Sequence, residues 1–311
     1  MRTQTLPANA SSQQRGGFTI TELLVTMAII AMFIALLLPS VRSTRGPARR
    51  TQCINNSRQM VLAILNYESA NGTLPLSTGA YDEDVAIDSA DYRRLSGMIE
   101  LLPFMDETAL WESIASPTEI DGVSYPAMGP AAFDEEYPCW KKQPPTFLCP
   151  SSYTRDTDFG LTNYAFCIGD ATTDIHRAEF TRGAFGGKNR VRLSDVTDGT
   201  RHTIAMAEIG TRSNSSRAKH SVVGQFATNQ PTDFLSNPWS CRNTLDRSNS
   251  DYYKEGTSVS KLGRGGRWSD GSAGYTLFNS FATKQPELCS RWDGYGWRDL
   301  LCRKLSRFRR G

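Results

Sequence analysis

The chain has 311 residues, of which 39% are hydrophobic and 22% charged, a composition that supports a sizeable folded core. Its formal net charge of +3 is unevenly distributed, because residues 1–50 and 291–311 are strongly basic and the part between them is acidic. An acidic body with basic ends is not typical of a nucleic-acid-binding domain, so no nucleic-acid partner is expected.

The first predicted element is an apolar segment from Phe18 to Leu38, in which Glu22 is the only charged residue. As a helix it is about 31 Å long, which matches the apolar core of a bilayer. A secretory signal peptide has a shorter apolar core, and a core helix of a soluble protein is disfavoured because so uniform an apolar segment has no polar face to present to water. A transmembrane helix over residues 18–39 is therefore predicted, with a plain signal anchor as an alternative.

Residues 40–71 are predicted to continue this helix as an amphipathic segment that ends at Asn71-Gly72. Gly46-Pro47 predicts a kink or break, because proline removes a backbone hydrogen bond. Four apolar residues at helical spacing are expected to pack on the body, with Arg49, Arg50 and Arg58 pointing outward. These four residues are Ile54, Val61, Leu62 and Leu65.

The remaining residues, 72–311, predict one α+β domain with a basic tail over residues 291–311. Asp106 is expected to cap a short helix with Leu110, Trp111 and Ile114 inward. Strands are predicted over Leu161–Ile168 and Thr203–Ile209, and a tight Asp198-Gly199 turn leads into the second. Sequence rich in turn-forming residues predicts long loops over 77–92, 116–145 and 210–260.

Seven cysteines without a Cys-x-x-Cys pair and three scattered histidines do not support a structural zinc site. Disulfides are the natural use of these cysteines outside the cytoplasm, and the odd number leaves at least one thiol unpaired. Three acids, Asp195, Asp198 and Glu208, are candidate calcium ligands, although turn residues of this kind usually bind no metal. No cofactor and no catalytic activity are expected, because no hydrolase or phosphate-binding signature is present.

Aromatic residues beside arginines form one further candidate site. Trp268, Trp292 and Trp297, next to Arg267 and Arg291, could stack on sugars or nucleic acid. Aromatic side chains more often pack in a core, and packing is the favoured interpretation here.

The segment Arg15-Gly16-Gly17-Phe18-Thr19-Ile20-Thr21-Glu22 resembles the prepilin signature of type IV pilins and type II secretion pseudopilins. The resemblance implies a leader of residues 1–17, cleavage between Gly17 and Phe18, N-methylation of Phe18 and a helix bend at Pro39. It implies a prepilin peptidase/methyltransferase and other pilin-like subunits as partners. It also implies a single-pass protein of the cytoplasmic membrane, with the leader cytoplasmic and residues 72–311 extracytoplasmic, or extracellular or periplasmic once a filament has assembled.

In that setting the acid at the head of the apolar segment has a physical explanation. Cleavage creates an α-amine on Phe18, and with a pKa of about 7.7–8.0 this amine is largely cationic. Glu22 of one subunit can neutralise Phe18 of its neighbour only when the two helices have the correct stagger. Glu22 is thus predicted to set the register of assembly. The alternative is an ordinary anchor in which Glu22 reaches the headgroups.

The body resembles a pilin-like group of proteins that carry domain of unknown function 1559. The resemblance lies in Arg49–Cys53 with Asn55, Asn56 and Gln59, in Leu101–Met105, in Pro145–Ser151, in Asn163-Tyr164, and in Leu193–Thr200 followed by Glu208. A His separated by nine residues from an Asp-Gly near the C-terminus, usual in that group, is absent. The tail is therefore expected to be a truncated or frameshifted version, unless the sheet is completed otherwise.

Together these features predict a pilin-like fold, with a long N-terminal helix packed on a mainly antiparallel sheet. The predicted function is that of a structural subunit of a pilus or type II secretion pseudopilus-like filament. The alternative is a membrane-anchored extracytoplasmic module that binds polysaccharide or an envelope partner and does not polymerise.

Overall fold

The structure, a computed structural model, describes residues 19–79, 94–152, 157–169, 181–185, 189–211, 221, 224–228, 243–249, 251–278, 288–292 and 297–301. For residues 36–45, 288–292 and 297–301 it describes the backbone alone. The leader, Phe18 and residues 302–311 of the basic tail lie outside the described residues. The chain divides into two compact units, Met1–Ala48 and Arg49–Gly311.

Helix α1 extends from Ile20 to Asn71 and crosses the division between the two units. It continues through Gly46 and Pro47, so the helix does not break there, while a kink at this position stays a prediction. Proline removes one hydrogen bond from the helix, and the turns on either side retain theirs. The backbone at Pro39 is also helical, and the bend there stays a prediction. In the part of the chain that the structure describes, no helix is long and apolar enough to cross a membrane.

The end of α1 matches its prediction. The helix ends at Asn71, and Gly72 adopts a left-handed φ of +73°. Its N–H donates to the carbonyl of Glu68 at 2.7 Å, which satisfies one of the last carbonyls of the helix. Glycine adopts this φ without the steric cost of a Cβ, so the Asn-Gly signal was a reliable stop.

The second half of α1 buries a different face from the one predicted. Ile54, Val61, Leu62 and Leu65 are exposed, and Leu62 retains 57% of its accessible surface. The residues that face the body are instead Cys53, Asn56, Met60, Ala63, Ile64 and Tyr67. The prediction was wrong because this buried face contains a polar residue and small residues, so counting apolar side chains favoured the other side. Arg49, Arg50 and Arg58 are exposed, as predicted.

The body contains three short helices and nine short strands among the described residues. The helices are α2 (Met98–Leu101), α3 (Thr108–Ala115) and α4 (Pro138–Lys141). The strands are β1 (Thr78–Gly79), β2 (Leu95–Ser96), β3 (Thr118–Ile120), β4 (Val123–Tyr125), β5 (Tyr164–Cys167), β6 (Met206–Glu208), β7 (Leu277–Phe278), β8 (Leu288–Trp292) and β9 (Trp297–Leu301). The α+β class is confirmed, and the sheets are small.

The central sheet has the order β6-β5-β7. Strand β5 pairs antiparallel with β6 and parallel with β7, while β1-β2, β3-β4 and β8-β9 are antiparallel pairs. All four residues of β5 are buried, and they contribute to the core cluster that includes Met60 and Tyr67 of α1. The two predicted strands are thus confirmed, each shorter than predicted.

Two local predictions need correction. Leu110 and Ile114 of α3 are buried as expected, but Asp106 does not cap this helix. Asp106 instead ends the preceding 3₁₀ turn with a φ of +61°. The predicted loop over residues 116–145 contains the β3-β4 hairpin and α4, because Asp121 and Gly122 both adopt positive φ and allow a tight turn.

Candidate functional site

One site joins α1 to the body, and we call it the helix clasp: Cys53, Asn56, Cys149, Asn163 and Tyr164. Cys53 and Cys149 form a disulfide whose Cα atoms are 4.7 Å apart. One turn further along the helix, Asn56 Nδ2 donates to the carbonyl of Leu148 at 2.7 Å. The Tyr164 hydroxyl donates to the carbonyl of Cys53 at 2.9 Å. A covalent bond and two long-range hydrogen bonds therefore hold the same helical turn.

Asn163 organises the body side of the helix clasp. Its Oδ1 accepts the N–H of Cys149 at 2.9 Å. Its Nδ2 donates to Ser152 Oγ at 2.8 Å and to the carbonyl of Ile209 at 3.2 Å. The residue is fully buried, and each of these bonds offsets the cost of removing an amide from water. Asn163 thus fixes the loop that carries Cys149 against the central sheet.

Glu208 lies at the edge of the helix clasp. It pairs with Tyr164 across β5 and β6, and its carboxylate is exposed. One carboxylate oxygen and the two Sγ atoms of the disulfide all lie within 4.8 Å of one another. Burial, with a contribution from the charge of Glu208, raises the pKa of the Tyr164 hydroxyl, so the hydroxyl remains a hydrogen-bond donor.

A second polar contact holds the C-terminal end of α1. Arg190 donates to both carboxylate oxygens of Glu100, at 2.6 and 3.0 Å, and to the Tyr67 hydroxyl at 2.6 Å. Burial of Tyr67, together with the negative charge of Glu100, raises the pKa of its hydroxyl to about 12. The two attachments, at Cys53 and at Tyr67, are about 20 Å apart along the helix at about 1.5 Å per residue.

The body contains a fully buried charge, the carboxylate of Asp270. Arg94 binds it through two hydrogen bonds of 2.7 and 2.8 Å, and an Arg267 nitrogen lies 3.6 Å away. Burial opposes ionisation of the carboxyl, but Arg94 and then Arg267 outweigh it and hold the pKa of Asp270 below its ordinary value. This ion pair belongs to the core, and it links the segment before β2 to the segment before β7.

At the N-terminal end of α1, Glu22 has a local partner. The N–H of Thr19 donates to Glu22 Oε2 at 2.9 Å, and the Thr19 hydroxyl donates to the same oxygen at 2.8 Å. In return the N–H of Glu22 donates to Thr19 Oγ1 at 3.3 Å. This reciprocal arrangement is a capping box, which satisfies backbone N–H groups in the first turn of a helix. Sequence reasoning missed it, although Thr-x-x-Glu is its usual signature.

The three candidate calcium ligands do not come together. Asp195 accepts the N–H of Arg192 at 3.0 Å within a 3₁₀ turn, and Asp198 precedes Gly199, whose φ is +81°. Among the described residues, the single group of three closely spaced ligand atoms is the one formed by Cys53, Cys149 and Glu208, and there the two sulfurs are bonded to each other. The turn interpretation of Asp195 and Asp198 fits this geometry.

Trp268 is a core residue, in agreement with the favoured interpretation. It is fully buried, its indole N–H donates to the carbonyl of Lys142 at 2.8 Å, and it packs against Trp140 and Phe147. The Arg267 guanidinium lies 4.3 Å from the centre of the Phe159 ring. The side chains of Trp292 and Trp297 lie outside the described residues.

Two known protein families match parts of the chain. The family described as "Protein of unknown function (DUF1559)" matches residues 42–296. The chain belongs to this family. A "Prokaryotic N-terminal methylation motif" matches residues 12–38. No curated protein and no solved structure matches the chain.

The helix clasp brings together residues from distant segments that carry the resemblance to the DUF1559 family. The segments that carry the resemblance are separated by up to about 150 residues, yet Cys53, Asn56, Cys149, Asn163 and Glu208 meet in one place. The methylation motif suggests a pilin-like protein that a prepilin peptidase processes and that is anchored in a membrane. The cleavage at Gly17–Phe18 stays a prediction.

Proposed function

We propose that the protein is a structural subunit of a pilus or pseudopilus-like filament, cleaved after Gly17 and methylated on Phe18. The observation that carries this proposal is the N-terminal methylation motif over residues 12–38. The proposal assigns no reaction, cofactor or metal to the protein. Its partners are the prepilin peptidase/methyltransferase, the cytoplasmic membrane and other pilin-like subunits.

The two halves of α1 support lateral association of helices. Leu23, Ile29 and Phe33 are each at least 50% exposed, in keeping with a helix whose apolar surface meets lipid or other helices. Beyond residue 49, α1 attaches to the body by one face and leaves Ile54, Val61, Leu62 and Leu65 exposed on another. In a filament this second face would contact a neighbouring subunit and leave water, which is favourable for apolar side chains.

The capping box refines the proposed role of Glu22. Its carboxylate is already hydrogen-bonded to Thr19, so the charge is held at the helix end beside the residue that cleavage would expose. An ordered carboxylate loses less conformational entropy when it meets the new Phe18 amine of a neighbour. We therefore assign Glu22 two functions, capping its own helix and pairing with an adjacent subunit.

Three variants separate these functions. Glu22→Gln retains a carbonyl oxygen for the Thr19 cap and removes the charge, whereas Thr19→Ala weakens the cap and retains the charge. Glu22→Ala removes both. If charge pairing sets the register, Glu22→Gln and Glu22→Ala fail to assemble, while Thr19→Ala assembles.

The experiment is made in the native host. The mass of the mature N-terminal peptide reports cleavage and methylation, and sedimentation of sheared filaments reports assembly. Loss of assembly in Thr19→Ala and Glu22→Ala, with normal filaments in Glu22→Gln, would show that only the cap matters. A mature peptide that still contains residues 1–17 would contradict the proposal itself and would favour an anchored binding module.

A further inference from the structure

The carboxylate of Glu208 lies beside the disulfide of the helix clasp, although attachment of the helix to the body does not require it. An oxygen of Glu208 and both sulfurs lie within 4.8 Å of one another. Cys53 and Cys149 retain only 4% and 2% of their accessible surface, while Glu208 is exposed at the same position. A carboxylate on the protein surface therefore lies next to two sulfurs that are themselves buried.

The chemistry of disulfide reduction makes this charge consequential. The attacking species is a thiolate, which forms a new S–S bond to one sulfur while the Cys53–Cys149 bond breaks and the other sulfur leaves with the electron pair. The leaving sulfur then takes up a proton. A second thiolate attacks the mixed disulfide, releases the second cysteine thiol and yields the oxidised reductant, so two thiols supply the two electrons. Negative charge is present on sulfur throughout each transfer, and a nearby carboxylate disfavours it.

We propose that Glu208 guards the Cys53–Cys149 disulfide against anionic thiols, so that the helix clasp is selective for the charge of its reductant. Thiols that carry an additional negative charge are repelled, whereas thiols that carry an ammonium group are attracted. Glu208 affects the rate of reduction and not its equilibrium. The disulfide and the protonated dithiol are both neutral, so the charge of Glu208 changes their relative free energies little.

The surroundings allow a folded dithiol state. Asn56 donates to Leu148, and Met60, Ala63 and Ile64 pack in the core, through contacts that do not involve the sulfurs, so we expect these contacts to persist once the S–S bond is broken. The two thiols would therefore remain close together and could re-form the bond. Reduction of the helix clasp would loosen one turn of α1 without releasing the helix, and Glu208 would decide which thiols can bring this about.

The test uses the full chain in detergent and three small reductants of similar size. They are cysteamine, which is cationic, 2-mercaptoethanol, which is neutral, and 2-mercaptoethanesulfonate, which is anionic. Alkylation and mass spectrometry of the Cys53 and Cys149 peptides give the rate of reduction of this disulfide. Each rate is divided by the concentration of the thiolate form of that reductant. It is then divided by the rate at which the same reductant reduces the neutral 2-hydroxyethyl disulfide, which removes the intrinsic reactivity of the thiolate.

In the unaltered protein we expect the normalised rate for cysteamine to exceed that for the sulfonate by about fivefold, because the second charges of the two reductants differ by two units and act on Glu208 across water, from farther away than the reacting sulfur. Glu208→Gln should bring the two within about twofold, and so should a high salt concentration. Glu119→Gln, which removes an exposed charge from β3 outside this group, should leave the ratio unchanged.

Two results would overturn the proposal. An equal acceleration of all three reductants by Glu208→Gln would show that Glu208 does not select for the charge of the reductant. A native disulfide that resists all three reductants until the protein unfolds would show that burial alone protects it. Neither result depends on whether the protein forms filaments.

Discussion

Which face of α1 packs on the body can be tested by truncating one side chain on each side. Met60 is completely buried in the core cluster, whereas Leu62, two residues further on, is 57% exposed. Replacing a fully buried Met by Ala costs about 2–5 kcal/mol, the sum of lost burial and the cavity left behind. An exposed side chain away from polar networks changes stability by about 0.5 kcal/mol or less.

Urea unfolding of the full chain in detergent, followed by tryptophan fluorescence, measures both variants. Trp140 and Trp268 are fully buried in the body, so their emission reports its unfolding. We expect Met60→Ala to lower the free energy of unfolding by about 2–5 kcal/mol. Leu62→Ala should change it by about 0.5 kcal/mol or less. Met60→Leu, which conserves volume, is the control and should cost less than about 1.5 kcal/mol.

The reasoning fails if Leu62→Ala destabilises the body as much as Met60→Ala. That result would mean that Ile54, Val61, Leu62 and Leu65 face the core, as the apolar spacing alone predicts. A substitution on the exposed face also tests assembly. If the exposed face contacts a neighbouring subunit, Leu62→Ser should reduce filament yield in the native host while the urea midpoint of the soluble or solubilised subunit stays the same.

Two further predictions concern the cross-link and the buried ion pair. Replacing both Cys53 and Cys149 by Ala opens a link between residues 96 apart and should lower the free energy of unfolding by about 2–5 kcal/mol, measured by urea midpoint. An effect no larger than that of Cys139→Ala, a buried free thiol, would contradict this. Because the pKa of Asp270 is lowered on folding, the unfolded chain binds more protons, and stability should fall as pH drops below about 4 and through the folded pKa. Asp270→Asn should lower the free energy of unfolding by about 3–5 kcal/mol at neutral pH and reduce the fall in stability below about pH 4. If stability falls as steeply with pH in this variant as in the unaltered protein, Asp270 is not the source of the pH dependence.

Much of the fold could be predicted because the signals were local. Asn71-Gly72 ended α1, the turn at Asp198-Gly199 preceded β6, and β5 lies within a predicted run of apolar residues. Each of these depends on the conformational preference of one or two residues or on a short apolar pattern. The small size of the sheets could not be predicted in this way, since pairing partners such as β5 and β7 lie more than 100 residues apart.

The helix clasp could be predicted only in part. The resemblance to the DUF1559 family indicated that Cys53, Asn56, Cys149 and Asn163 belong to shared segments, but not that they touch. The pairing of seven cysteines has many solutions, and only the fold brings the Cα atoms of one pair within 4.7 Å. The same holds for Arg94 and Asp270, which are 176 residues apart in sequence.

The error over the buried face of α1 has a physical origin. Apolar periodicity shows which residues prefer to leave water, but not whether the body or another molecule covers them. The face of α1 that packs on the body is determined by specific partners. Cys53 forms a disulfide with Cys149, the Asn56 amide donates to the carbonyl of Leu148, and the Tyr67 hydroxyl accepts a hydrogen bond from Arg190. Under the proposed function, the exposed apolar residues of α1 are available for contacts between molecules, and charge pairing by Glu22 adds a directional interaction to this non-directional burial. Under the proposed function, one helix binds its own body through a disulfide, hydrogen bonds and the buried face that includes Met60, and it binds its neighbours through a separate apolar face, so the two sets of contacts do not compete.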